Sequence, residues 1–276
     1  MEKFLIKNEN LSLAVFQTGN KEGRPIIFLH GMSSSHLSFW EQYSKENSLT
    51  KNFRLIFVDL RGHGSSDKPM EKEHYTDSKT WANDLKSVIE TLKLEKPVVI
   101  GWSYGGLVIN DYIRHYGDGS LGGIIYLSAA FTTGKGMEKY AGPALGNTMK
   151  FLSLGQQPDF ATLTESVIVG CNDCFEKEVS KEFYARLLCS SMGCFIVPHL
   201  VARDENYEDD MKKLKVPVVI IQGDKDKWIS MSMAEWAKQV VPNAELVVFE
   251  GCGHSCFAEE PDRFNELVTK FTQALK

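Results

Sequence analysis

VVIGWSYGGL, Val98 to Leu107, carries an apolar β-branched run into the pentapeptide Gly101-Trp102-Ser103-Tyr104-Gly105. The run is followed by a small-residue turn and then by Leu107, Val108, Tyr112 and Ile113 at helical spacing, which predicts a strand, a tight turn and a helix in succession. Small residues at 101, 105 and 106 let the helix approach the strand while Ser103 is held in a strained backbone geometry. A G-x-S-x-G match alone is a modest signal, since many such matches are ordinary strand-to-loop turns. The surrounding strand and helix select the reading of Ser103 as a nucleophile whose hydroxyl stands clear of both elements.

The 276 residues, 43% of them hydrophobic, suffice for one large core, so a single α/β domain with an insertion is expected. A net charge of −5 with scattered basic residues gives no nucleic-acid footprint and no polybasic membrane patch. The N-terminus, MEKFLIKNENLSLAVFQTG, has no continuous apolar signal region, and no run approaches about 18 apolar residues, so a cytoplasmic protein with no membrane partner is expected. Cys171 and Cys174 form one C-x-x-C, and Cys189, Cys194, Cys252 and Cys256 do not supply a second. A zinc centre needs four converging ligands, so free, mostly buried thiols are the expectation and no metal is assigned.

Along the chain, Phe4 to Ile6 and Leu11 to Phe16 read as a hairpin around a polar turn. Ile26 to Leu29, Phe53 to Val58, Val98 to Ile100, Gly123 to Leu127, Val216 to Ile221 and Leu246 to Phe249 are continuous apolar runs, as strands buried on both faces of a parallel sheet require. Trp81, Leu85, Val88, Ile89 and Leu92 recur at helical spacing after a cap at Asp77 or Ser78. Phe264, Leu267, Val268 and Phe271 do so after Pro261. The expected fold is an eight-stranded, mostly parallel sheet with helices on both faces. Between Leu127 and Val216 no buried strand is found, only helical stretches at Ala144 to Leu152, Phe160 to Val169 and Lys181 to Cys189. A structureless loop of that length is improbable, so residues 131–212 read as a helical cap inserted after the sixth strand, with 1–130 and 213–276 forming the core. Such a cap would cover the nucleophile and choose the substrate.

A serine nucleophile needs a base. His254, in Gly251-Cys252-Gly253-His254-Ser255, follows the last strand, where a parallel sheet opens its loops on the same edge as Ser103. The base needs an orienting carboxylate, and the strand ending in Gln222-Gly223 runs into Asp224-Lys225-Asp226; Asp226 is preferred, with Asp224 as its rival. An oxyanion hole takes its first donor from the N–H of Tyr104, at a helix N-terminus. Its second comes from the loop Leu29-His30-Gly31-Met32-Ser33, where Met32 is the candidate. His30 and His63 then read as structural loop residues. The loop Asp59-Leu60-Arg61-Gly62-His63-Gly64 has neither the lysine of a P-loop nor the spacing of a dinucleotide fingerprint, so no nucleotide cofactor is expected.

Taken together, His30-Gly31, the Asp59 to Ser66 loop, Gly101-Trp102-Ser103-Tyr104-Gly105-Gly106, Gly223-Asp224-Lys225-Asp226 and Gly251-Cys252-Gly253-His254 resemble the α/β-hydrolase superfamily. The resemblance spans nearly all of the chain outside the cap. It is nearest to the branch of esterases, lactonases and cofactor-free haloperoxidases. It implies a serine-hydrolase triad with no cofactor, and favours Asp226, since the family's acid usually stands three residues after the strand-seven glycine. Relatives that open epoxides or carbon–halogen bonds have aspartate in place of Ser103, which argues against both reactions. Many haloperoxidase-like and perhydrolase-like members have proline where this chain has Ser33, which makes peracid chemistry less favoured.

The expected activity is that of a serine-dependent carboxylesterase-type hydrolase acting on small, largely apolar esters through an acyl-enzyme intermediate. Lactone, thioester or carbon–carbon bond cleavage would use the same triad, and a non-catalytic ligand receptor on the same fold is the reading from a different class. A metal-dependent hydrolase built on the cysteines is a third. The expected partner is a small-molecule ester or lactone.

Overall fold

The structure, a computed structural model, describes residues 1–8, 10–147, 159–192 and 202–275. Eight strands form one sheet: β1 (Glu2–Asn8), β2 (Leu11–Gly19), β3 (Pro25–Leu29), β4 (Arg54–Val58), β5 (Val98–Trp102), β6 (Gly123–Leu127), β7 (Val218–Gly223) and β8 (Ala244–Phe249). Their spatial order is β1-β2-β4-β3-β5-β6-β7-β8. The first two pairings, β1 with β2 and β2 with β4, are antiparallel and the rest are parallel. β7 starts two residues later than its apolar run suggests. The Val216 N–H donates to the Asp118 carboxylate instead of joining a ladder, and Pro217 has no N–H to give.

Successive residues of the central strands point to opposite faces, and both faces are covered, which is why these strands read as unbroken apolar runs. Ile27, Ile56, Val99, Ile124 and Ile220 belong to one core cluster, and Phe28, Phe57, Ile100, Ile125 and Ile221 to the other. The first cluster is closed by helices α1 (Ser78–Thr91), α2 (Tyr104–Tyr116) and α5 (Met231–Val240), through residues such as Trp81, Leu85, Val108 and Met233. The second is closed by α6 (Pro261–Ala274) through Phe264 and Val268, with Phe39 and Phe257 beside them. Asp77 caps α1, its carboxylate accepting the Lys79 N–H.

Between β6 and β7 the described residues contain no strand; they contain α3 (Phe160–Asn172) and α4 (Lys181–Met192), which pack Cys171, Phe183 and Leu187 onto the second cluster. The expected helix at Ala144 to Leu152 runs into residues outside the described set. The two ends of this insertion lie side by side. Thr132 and Asn206 form a lone bridge, Thr133 N–H donates to the Glu205 carbonyl, and Glu205 N–H returns a bond to Thr133 Oγ1.

The returning segment is bolted to α2 by two arginines. Arg114 on α2 reaches Glu205 and Asp210, at 24% side-chain exposure. Arg203 is fully buried; its Nη2 meets Asp111 Oδ1 of α2 at 2.6 Å and its Nη1 donates to Tyr104 Oη at 3.0 Å. Tyr207 donates to the same Asp111 oxygen. Burial pushes the Asp111 carboxyl up to about 6, against the pull of Arg203.

Removing one partner of such a pair strands the other charge in the core. Arg203→Met is therefore expected to lower the unfolding free energy by about 3–5 kcal/mol in urea titrations, and the double replacement with Asp111→Leu to restore part of that loss.

Candidate active site

The strand order reverses between β3 and β5, which lie side by side with Leu29 opposite Gly101 although β4 separates them in sequence. Loops leaving the carboxyl ends of two such neighbours face one crevice. Here they are the Gly31-Met32 loop and the turn at Ser103. The two touch, since a Cβ on Gly31 would stand 3.0 Å from Ser103 Cβ.

Ser103 has φ 53° and ψ −114°, a region that non-glycine residues rarely occupy. Its neighbours hold it there. Ser103 N–H donates to the Leu127 carbonyl at the end of β6, and its own carbonyl accepts from Gly106 and Ala130. Gly105 has no room for a side chain, because a Cβ would come within 2.4 Å of the Leu29 carbonyl oxygen. Trp102 and Tyr104 are buried, and Ser103 between them stays partly exposed.

His254 follows β8, and Asp226 follows β7. The structure brings them together with Nδ1 and Oδ2 2.8 Å apart, the imidazole at 4% and the carboxylate at 0% side-chain exposure. An ionised carboxylate can only accept, so this contact places the proton on Nδ1 and leaves Nε2 as the basic nitrogen. Asp226 is itself held: Oδ1 accepts the N–H groups of Trp228 and Ile229, and Oδ2 accepts from Gln222 Nε2 at 2.8 Å. Asp224, its rival by sequence, points elsewhere and accepts the Gly251 N–H at 2.6 Å. Trp102, beside Ser103, ties the two halves: its indole N–H donates to the His254 carbonyl at 3.0 Å, and its ring centroid lies 5.5 Å from the imidazole.

Among the described residues neither the Met32 nor the Tyr104 backbone N–H has an acceptor. Tyr104 opens α2, so its N–H carries the positive end of the helix dipole. The Met32 loop is shaped from outside. Ser33 adopts φ 55°, its N–H donates to His63 Nε2, and its carbonyl accepts from Ser191 of α4.

His30 uses both ring nitrogens locally, donating from Nδ1 to the Gly31 carbonyl and accepting the Leu60 N–H at Nε2. Burial and the neighbouring His63 push its pKa down to about 3. Asp59 accepts from the His36 N–H, the His36 ring and the Ser65 N–H. Burial pushes its carboxyl up, but His36 prevails and holds it below its ordinary value. These groups knit the Asp59 to Ser66 loop to the Met32 loop.

Four cysteines, Cys171, Cys174, Cys252 and Cys256, are buried, Cys189 is exposed, and Cys194 lies outside the described residues. Among the described residues no group of three or more His, Cys, Asp or Glu converges as metal ligands would. No described helix is long and apolar enough to cross a membrane. His199 also lies outside the described residues.

The sequence did not single out Gln222, Trp102 or Arg203 for these contacts. Gln222 was the findable one: a polar side chain at the end of the buried run Val218 to Ile221 must have a partner.

The model of the alpha/beta hydrolase fold family matches residues 24–261. The AB hydrolase superfamily protein YisY of Bacillus subtilis is 32% identical over 99% of this chain and 100% of its own length. A proline iminopeptidase of Lactobacillus acidophilus is 23% identical over 92% of this chain and 91% of its own. Among solved structures, the esterase RhEst1 from a Rhodococcus species superposes with a TM-score of 0.86 at 26% identity, covering 100% of this chain and 99% of that one.

The neutral His30 has a measurable consequence. Its folded pKa lies below the ordinary 6.5, so unfolding takes up a proton between those values, and stability is full above about 6.5 and falls as pH falls. Urea unfolding followed from pH 6.5 to 4.5 should be shallower in pH for His30→Gln than for wild type, by up to about 1.4 kcal/mol per pH unit. Parallel curves would show that His30 is not held neutral.

Proposed function

The chain belongs to the α/β-hydrolase fold family, and on that premise we propose that it is a serine-dependent carboxylesterase-type hydrolase of small, largely apolar esters. The observation that carries the reading is the Asp226 carboxylate 2.8 Å from His254 Nδ1, on a loop whose His254 carbonyl is held by Trp102, the neighbour of a serine locked in a strained turn. In this proposal His254 Nε2 takes the proton from Ser103 Oγ as the oxygen attacks the ester carbonyl. Negative charge then develops on the carbonyl oxygen, where the unengaged N–H groups of Met32 and Tyr104 receive it. Asp226 keeps the imidazole in the useful tautomer and stabilises the imidazolium. The alcohol departs with the proton from His254, and water repeats the sequence to release the acid.

Asp226 is the acid of this proposal and Asp224 is not, because Asp224 is engaged with Gly251 N–H. We take the insertion, roughly residues 131–212, as a cap over the site. That reading is supported by Ser190 and Ser191 of α4, which bond to Ser35 and to the Ser33 carbonyl in the Met32 loop. Of the two tryptophans near the imidazole, Trp102 is buried, and the half-buried Trp228, its ring centroid 6.1 Å from that of His254, is the first candidate to meet a substrate. Five free thiols among the described cysteines fit a reducing compartment, the cytoplasm. Ester cleavage is preferred over amide cleavage because the esterase is the likeness of higher identity.

The test is a panel of aryl and alkyl esters of graded chain length, with thioesters, lactones and a prolyl arylamide. Wild type should turn over short and medium esters fastest, and Ser103→Ala should lose turnover while melting like wild type. Covalent labelling of Ser103 by a fluorophosphonate without turnover of any panel member would instead favour a ligand receptor. Replacing the two aspartates separates their roles: Asp226→Asn should lower kcat by about 10⁴-fold by inverting the favoured tautomer, while Asp224→Asn keeps most of it. Equal losses would overturn the assignment of the acid.

A further inference from the structure

The loop that carries His254 is fastened outside the Asp226 contact, once directly by the insertion and once through a side chain that the insertion also holds. Trp102 holds the His254 carbonyl from the side of the sheet. From the insertion, the Cys174 carbonyl accepts the Ser255 N–H at 2.7 Å. On the other side of His254, the Gly253 N–H donates to Glu259 Oε1 at 2.8 Å. The second oxygen of the same carboxylate, Oε2, accepts the N–H groups of Glu176 at 2.8 Å and Lys177 at 2.7 Å. Glu176 and Lys177 lie between α3 and α4. Glu259 therefore bridges the base-bearing loop and the insertion with one side chain.

Glu259 is 9% exposed, and among the described residues no cation forms an ion pair with it. The nearest ammonium, that of Lys177, is spent on the Glu250 carbonyl and on Glu260. A buried carboxylate without a counter-ion is costly to keep unless hydrogen bonds take up its charge, and here three backbone donors do so. The junction is also closely packed, since a Cβ on Gly253 would stand 3.0 Å from Phe175 Cα.

We infer that Glu259 is a positioning residue: through Gly253 and the Glu176-Lys177 amides, its carboxylate sets where His254 stands relative to Ser103, and so couples the base to the insertion. The inference rests on the serine-hydrolase reading given above. Its consequence is that movement of the Phe175 to Lys177 segment displaces the imidazole, so covering the substrate and placing the base become one event.

Glu259→Gln keeps the size of the side chain but sets an amide NH2 against either the Gly253 N–H or the Glu176 and Lys177 pair. With the best ester of the panel, kcat should fall by about 10²-fold, as small misplacements of a reacting group do, with KM changed by no more than about twofold. Gly253→Ala, which pushes the junction apart from its other side, should give the same kcat loss. Glu260→Gln, which removes the adjacent charge, should keep wild-type kcat.

All variants are to be assayed where circular dichroism shows them folded. Wild-type kcat in folded Glu259→Gln and Gly253→Ala, a loss carried by KM instead of kcat, or an equal loss in Glu260→Gln, would overturn the inference. Retained turnover in Ser103→Ala would overturn the serine-hydrolase reading instead.

Discussion

Everything at the carboxyl edge of the sheet depends on the backbone of Ser103. A non-glycine residue at φ 53°, ψ −114° costs on the order of 1–3 kcal/mol and persists only where its surroundings leave it no alternative. Those surroundings are the sheet itself: the Leu127 carbonyl and the Ala130 amide grip Ser103 from β6, and the Leu29 carbonyl crowds Gly105 from β3. The strain is therefore distributed over three parallel strands and the start of one helix. Only after β3, β5 and β6 are in register does the hydroxyl stand clear, with the Tyr104 amide aimed beside it.

The polar groups around this turn fall into two kinds. Some, such as His30, His63 and Asp59, spend their hydrogen-bonding capacity on loop backbone and give the Met32 loop its shape. Others carry a group with no hydrogen-bond partner among the described residues: the Met32 and Tyr104 amides, and the imidazole of His254 at Nε2. Gln222 belongs to the first kind, and its bond to Asp226 Oδ2 shows how a residue of the sheet can fix an acid that lies on a loop.

The fold was legible because parallel strands buried on both faces announce themselves as continuous apolar runs, and each of the six runs from Ile26 onward became a strand. Their limits were less clear, since backbone donors decide them: Val216 looks like strand but gives its N–H to Asp118. Ser103, His254 and the aspartates were findable because glycines and strand ends mark where the chain must turn. Asp226 was preferred over Asp224 from the turn alone and the resemblance favoured it further, since both lie in one turn and only their partners differ. Glu259 and Arg203 gave no signal at all. Their partners are backbone amides or residues far along the chain, and neither periodicity nor a motif records such contacts.

The paired ends of the segment between β6 and β7 have a further consequence. Because Thr132 and Thr133 lie against Glu205 and Asn206, the chain leaves the sheet and returns to it at one doorway, with α2 as its jamb. Whatever occupies the intervening stretch need only begin and end within a few ångströms to leave the strand order undisturbed. A change of length in that stretch can thus be absorbed without re-threading the sheet, while the turn at Ser103 stays fixed. Within that stretch the Glu176 and Lys177 amides are fixed points of their own, both held by the Glu259 carboxylate.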